Sequence, residues 1–154
     1  MLLRRGLGGR GEFTMPSENQ DYRIVPIAFV RSSLLDRSSA PRQGSEGAPD
    51  AWLEFQSEIL EGLDSVEVGQ EIILITWFHQ ARREVLKVHP RGCKTAALAG
   101  VFATRSPDRP NPLGLHRVTV LEISGNRIKV RPLEAIDGTP VVDIKPVLPG
   151  AANG

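Results

Sequence analysis

The sequence predicts an all-β fold: one small antiparallel barrel with long loops and at most one or two short helices. Three observations lead there. Apolar residues recur with period two over short stretches rich in Val, Ile and Thr, the spacing that places alternate side chains on one face of a strand. Fifteen glycines and twelve prolines punctuate the 154 residues, which suits short strands joined by turns and not helices. With so few strands, closing the sheet on itself removes the sticky edges that an open sheet would expose.

Taken in order, residues 1–20, beginning MLLRRGLGGRGEFTM, are expected to be a disordered or non-native extension, with Met15 as a candidate start. Gly6, Gly8 and Gly11 spell GxGxxG, but no strand precedes them and no helix follows before Pro16, so the dinucleotide fingerprint fails. Residues 21–150 form the domain and 151–154 a tail. Residues 22–30 are β-branched and read as a strand, with Pro26 arguing for an edge or a bulge. Residues 32–50 must be a long polar loop, which in a compact domain is functional or mobile; it carries Pro41-Arg42-Gln43-Gly44. Residues 51–55 are a weak strand, and 57–63 a short helix that Ser57 caps and Gly62 ends. Residues 70–78 are the most apolar stretch, a central strand running into His79-Gln80. Residues 81–89 alternate and read as its partner, reached by a tight connection; 90–95 are a basic loop.

Residues 101–104 read as a strand that breaks into a stiff loop. Pro107, Pro110 and Pro112 remove three backbone donors and fix three φ angles, so Arg105, Ser106, Asp108, Arg109 and Asn111 are held in place. Stiff polar loops on a strand scaffold are where sites are built, although a plain rigid connection reads the same way. Residues 114–124 set Leu115, Arg117, Thr119, Leu121 and Ile123 against His116, Val118, Val120 and Glu122. Gly125-Asn126 is a hairpin signal, 127–133 return, and the turn at 137–140 leads to a last strand at 141–147.

Net charge is +1, yet residues 79–117 hold eight Lys/Arg against two Asp/Glu. This points to a localised phosphate or carboxylate site, unless folding brings counter-charges to it. The single cysteine, Cys93, excludes an internal disulfide and a multi-cysteine zinc site and suits a reducing cytosol. It reads as a bystander thiol before a nucleophile. No apolar run approaches the roughly 18 residues of a membrane span. A cytoplasmic protein without metal or membrane partner is the expectation.

GVFATRSPDRPNPLGL at 100–115 and DGTPVVDIKP at 137–146, with Trp77-Phe78-His79-Gln80 and Pro41-Arg42-Gln43-Gly44, resemble the signature motifs of the TrmO/YaeB-like (TsaA-like) family. The resemblance runs in family order over residues 22–149. It implies a small β-barrel that binds S-adenosylmethionine, works as a homodimer, and methylates N6 of threonylcarbamoyladenosine beside the anticodon of threonine tRNA; no DNA partner is expected. Carried over position by position, cofactor contacts fall on Gln43, Gly44, His79, Gln80, Arg105, Leu115, Leu133 and Glu134. The family's further C-terminal domain is expected to be absent. The alternative is an S-adenosylmethionine-binding sensor or regulatory module, or a small-molecule methyltransferase.

The residues suit that chemistry. Arg105 or Arg42 matches the cofactor carboxylate, Glu134 the ribose diol, and Leu115 and Leu133 the adenine. His79, Asp137 and Asn111 are the catalytic candidates. His79 reads equally as a structural histidine, Asp137-Gly138 as a plain turn, and Asn111 as a loop cap. Asp143 ranks below them, since Asp143 and Lys145 make an ordinary surface ion pair. Arg82, Arg83, Lys87, Arg91, Lys94 and Arg109 are the candidate RNA phosphate contacts. Trp77, Phe78 and Phe102 are expected in the core, leaving Trp52 to stack on a base.

Overall fold

The computed structural model describes residues 22–150. Its strands are β1 (Ala28–Arg31), β2 (Ala51–Phe55), β3 (Glu71–Trp77), β4 (Lys87–Val88), β5 (Ala99–Gly100), β6 (Leu113–Ser124), β7 (Arg127–Arg131) and β8 (Pro140–Pro146). Alternation decides which side chains turn inward. In β3, Ile72, Leu74 and Thr76 are buried, and in β6, Gly114, His116, Val118 and Val120. Six strands pair antiparallel in the ring β1–β2–β7–β6–β3–β8 and back to β1, so the sheet closes as a barrel. Val30, Leu53, Leu74, Val118, Ile128 and Val141 meet in its single core, where each buried side chain contributes about 1.5–3 kcal/mol. The β6–β7 hairpin turns on Gly125-Asn126. Asn126 is tied to the end of β2: its carbonyl accepts from the Phe55 amide (2.8 Å) and its side-chain amide donates to the Phe55 carbonyl (3.0 Å).

Three local expectations give way to the ring. β3 pairs with β6 on one side and β8 on the other, which leaves no edge for residues 81–89. Only Lys87–Val88 is extended, and it pairs with β5 outside the barrel. Residues 22–27 lie ahead of β1. Pro26 has no amide to donate, and pairing starts beyond it, where the Ile27 amide meets the Val141 carbonyl at 2.8 Å. The strand therefore sits inside a closed ring and not on an edge. Residues 101–103 form one 3-10 turn, because the amide and the hydroxyl of Thr104 both return to the Val101 carbonyl (3.1 and 3.0 Å). Val101 points in, and Phe102, expected in the core, is 80% exposed. Ser57–Leu63 is helical as expected, though of 3-10 type and with Gln56 at its N-cap. Among the described residues no helix is long and apolar enough to cross a membrane.

Candidate functional site

The proline-rich loop is braced by its own charges. The Arg109 guanidinium donates to the carbonyls of Ser106 (2.8 Å), Val101 (2.9 Å) and Thr104, drawing the 3-10 turn and the loop into one unit. Asp108 is buried and accepts from the Arg82 amide (2.9 Å), while the guanidinium groups of Arg82 and Arg37 sit at 3.2 and 3.1 Å. Arg37 also donates to the Gln80 carbonyl (3.1 Å), so one carboxylate ties together the segments around 37, 80–82 and 108.

Burial pushes the Asp108 carboxyl up, but the Arg82 amide and the Arg37 and Arg82 guanidinium groups outweigh it, and the result lies below the ordinary aspartate value of 3.8. A depressed folded value means that this group's contribution is present above the unfolded value and is lost as the pH falls through the folded one. Asp108→Asn should therefore cost about 1 kcal/mol at pH 7. In urea melts it should also flatten the decline of stability below about pH 4; an unchanged acid limb would contradict the assignment.

Beside this loop opens a cavity of about 1170 Å³. Its walls are the 41–45 loop, the segment after β3, the 88–92 turn, the 103–109 loop, the start of β6 and residues 132–136. Gln43, Gly44, His79, Gln80, Arg105, Leu115 and Glu134 all line it, as do Arg91 and Arg109. Arg105 and His79 are exposed to it and make no hydrogen bond or ion pair among the described residues. Glu134 faces it from the far side of Gly44: a Cβ built on Gly44 would lie 3.2 Å from Glu134 Oε2 and 3.1 Å from the Pro132 ring. Glycine at 44 lets the 41–45 loop approach that closely without displacing either neighbour.

Other predicted residues lie elsewhere. Leu133 is fully buried in the barrel core, in the irregular segment that follows β7. Asp137 accepts the Ser32 amide (3.0 Å) and heads a turn in which Gly138 takes φ 77°, off the cavity wall. Asn111 is exposed, its Oδ1 3.5 Å from Arg83 Nη2, and is not on the wall either. Arg82 is engaged by Asp108, and Arg83 donates to the Pro110 carbonyl (2.7 Å) and lies over the Trp77 ring. Arg109 faces the cavity with its Nε and Nη2 turned to backbone carbonyls. Lys87 and Lys94 are exposed away from the wall. Trp52 is covered by Arg127 (4.9 Å) and Lys129 (5.8 Å) and is not an open stacking surface. Asp143 and Lys145 do form the surface ion pair, at 3.1 Å. Cys93 is exposed, with its thiol against Thr95. No group of three or more His, Cys, Asp or Glu among the described residues could hold a metal ion.

Sequence reasoning passed over the buried polar chain in the wall. His116 Nδ1 lies 2.7 Å from Glu134 Oε1, and its Nε2 lies 2.8 Å from the Thr76 hydroxyl. The Phe78 ring meets the imidazole edge-on, with centroids 5.8 Å apart. The signal was available: His116 shares the inward register of Val118 and Val120, and a polar side chain there demands partners. Those partners lie on β3 and beyond β7, too far along the chain for local patterning to reveal.

Residues 29–152 match the family model of the tRNA-methyltransferase O N-terminal domain. An S-adenosyl-L-methionine-binding protein of Archaeoglobus fulgidus is 43% identical over 126 residues, 82% of this chain and 89% of the relative. The solved structure of TrmO from Pseudomonas aeruginosa superposes with a TM-score of 0.67 at 31% identity, covering 90% of this chain. This chain spans 62% of that protein's length. A barrel of this topology, a proline-stiffened arginine loop and a sequence match over most of its length place the chain in the family of the tRNA-methyltransferase O N-terminal domain.

Proposed function

We propose that the cavity binds S-adenosylmethionine and that the protein is an S-adenosylmethionine-dependent methyltransferase, acting on N6 of threonylcarbamoyladenosine beside the anticodon of tRNA. One observation carries the reading: a guanidinium without a partner among the described residues, Arg105, and a carboxylate, Glu134, line one cavity large enough for a nucleoside cofactor. Ligand pockets run to about 300–1000 Å³, so this one has room for a cofactor and a flipped base. The Archaeoglobus relative's binding of S-adenosylmethionine supports the choice of cofactor.

In this reading Arg105 takes the cofactor carboxylate, Glu134 accepts from the ribose hydroxyls, Leu115 covers the adenine, and Gln43, Gly44, His79 and Gln80 complete the wall. When bound, the cofactor supplies an electrophilic methyl group on a sulfonium. The chain's part is to align the acceptor nitrogen, which orientation alone can promote by several kcal/mol. It must also receive the nitrogen's proton. His79 is the one of the three catalytic candidates on the cavity wall, and it takes that proton here. Arg91, on the wall, and Lys87 and Lys94 outside it supply phosphate contacts. The exposed side chains of Leu86, Leu98 and Phe102 offer apolar surface to a second copy, consistent with a homodimer.

Incubation with methyl-labelled S-adenosylmethionine and tRNA from cells lacking this protein tests the assignment. Label should appear in threonylcarbamoyladenosine among the digested nucleosides. Cofactor binding without labelled tRNA would favour the sensor or small-molecule alternative.

A further inference from the structure

The chain Thr76–His116–Glu134 runs from the barrel interior to the cavity wall. The His116 side chain is 1% exposed and that of Glu134 17%, and Thr76 is fully buried. Burying three polar groups costs more than an aliphatic replacement unless each finds a partner, and here each does.

The partners fix the protons. A carboxylate oxygen only accepts, so the hydrogen between Glu134 Oε1 and His116 Nδ1 belongs to Nδ1. In the neutral imidazole Nε2 is then an acceptor, and the Thr76 hydroxyl, 2.8 Å away, donates to it. Thr76 pairs with Gly114 across β3 and β6, so the barrel itself holds the hydroxyl in place. Phe78 closes the remaining edge of the ring.

We propose that His116 is a positioning residue: it anchors Glu134 Oε1 and thereby presents Oε2, the oxygen beside Gly44, to the cavity as a fixed acceptor. This rests on the reading of the cavity as a cofactor site. A free glutamate has three rotatable bonds; His116 removes that freedom before the ligand arrives, and preorganisation of this kind converts directly to affinity. It also sets the ligand's polarity. Oε2 accepts from a hydroxyl or an ammonium and repels an anion, so the hydroxyl-bearing sugar lies at Glu134 and the carboxylate is sent toward Arg105.

Two isosteres separate positioning from mere packing. An asparagine amide can place its N–H where Nδ1–H lies, whereas a glutamine amide reaches toward the Nε2 position and leaves Glu134 unheld. By calorimetry His116→Gln should bind S-adenosylmethionine about ten- to thirtyfold more weakly than wild type, and His116→Asn within about threefold of it. Nitrogen-15 spectra of the ligand-free protein should show two histidines protonated at Nδ1: His89, whose Nδ1 meets the Ala96 carbonyl at 2.8 Å, and His116, whose signal alone is lost in both variants. If His116→Gln does not fold, Thr76→Val carries the test, with mixed tautomers and weakened affinity expected. An Nε2-protonated His116, equal losses in both isosteres, unaltered affinity in His116→Gln or a wild-type spectrum in Thr76→Val would each overturn the proposal. Should wild type itself not bind S-adenosylmethionine, the cofactor reading falls, while the tautomer measurement still judges the His116–Glu134 coupling.

Discussion

Arg105→Ala abolishes most of the affinity for S-adenosylmethionine, by about 30- to 1000-fold in Kd, and leaves the melting temperature of the ligand-free protein unchanged. The two halves of this result have one cause. Arg105 projects from a loop whose shape is set by other residues: three prolines, the Arg109 guanidinium on three carbonyls, and Asp108 bound to Arg37 and Arg82. It is exposed and makes no hydrogen bond or ion pair among the described residues, so its removal is a surface change within about ±0.5 kcal/mol. A ligand carboxylate bound to it without competing water loses a charge-assisted pair on truncation, a loss of about 2–4 kcal/mol. Arg105→Lys should fall between, since it keeps the charge but not the planar fork. Calorimetric titration and a thermal melt on the same preparations check both halves. Wild-type affinity in Arg105→Ala would remove the arginine from the site.

Gly114→Ala destabilises the barrel by about 2–3 kcal/mol, as inserting a methyl into a filled site does. The added Cβ would stand 2.4 Å from Phe78 Cζ, 2.6 Å from Thr76 Oγ1 and 2.7 Å from His116 Nε2. The Phe78 ring can swing, but Thr76 and His116 are held by each other at 2.8 Å, and the methyl would enter between them. In a domain of this size the loss appears as a drop of roughly 6–12 °C in melting temperature. Because the wedge separates Thr76 from His116, cofactor affinity should fall as well, which distinguishes this variant from Arg105→Ala, where affinity falls alone. A Gly114→Ala protein that melts like wild type would mean that the β3–β6 pair relaxes freely around that position.

The parts of the fold legible in the sequence are those governed by neighbours. Period-two burial marks β3 and β6, and Gly125-Asn126 fixes their hairpin continuation into β7. What misleads is alternation without a vacant partner. Residues 81–89 carry a strand's pattern, yet both edges of β3 belong to β6 and β8. That competition is settled by β6 and β8, which lie well beyond the segment in sequence, and is invisible to a local reading. The segment 101–104 fails for the opposite reason: a single hydroxyl, Thr104, and a distant guanidinium, Arg109, compete for the Val101 carbonyl and bend the chain into a turn.

The site divides along the same line. Residues inside contiguous motifs, such as Gln43-Gly44, His79-Gln80 and Arg105, come together around one cavity. Leu133 goes to the core from the irregular segment beyond β7, where no strand period tells the inward side chains from the outward ones. His116 was in plain view, in an inward register among valines, but its meaning depends on Thr76 and Glu134, which only the closed barrel brings to it. The basic segment follows suit: Arg82 and Arg109 are taken up in bracing the loop, and Arg105 and Arg91 are left facing the cavity.

The most direct measurement is a crystal structure of the protein soaked with S-adenosylmethionine. Density for the cofactor should fill the cavity between Arg105 and Glu134, with its carboxylate on the Arg105 guanidinium and its ribose hydroxyls on Glu134 Oε2. Cofactor bound elsewhere on the barrel, or lying in the cavity with neither side chain touching it, would contradict the account.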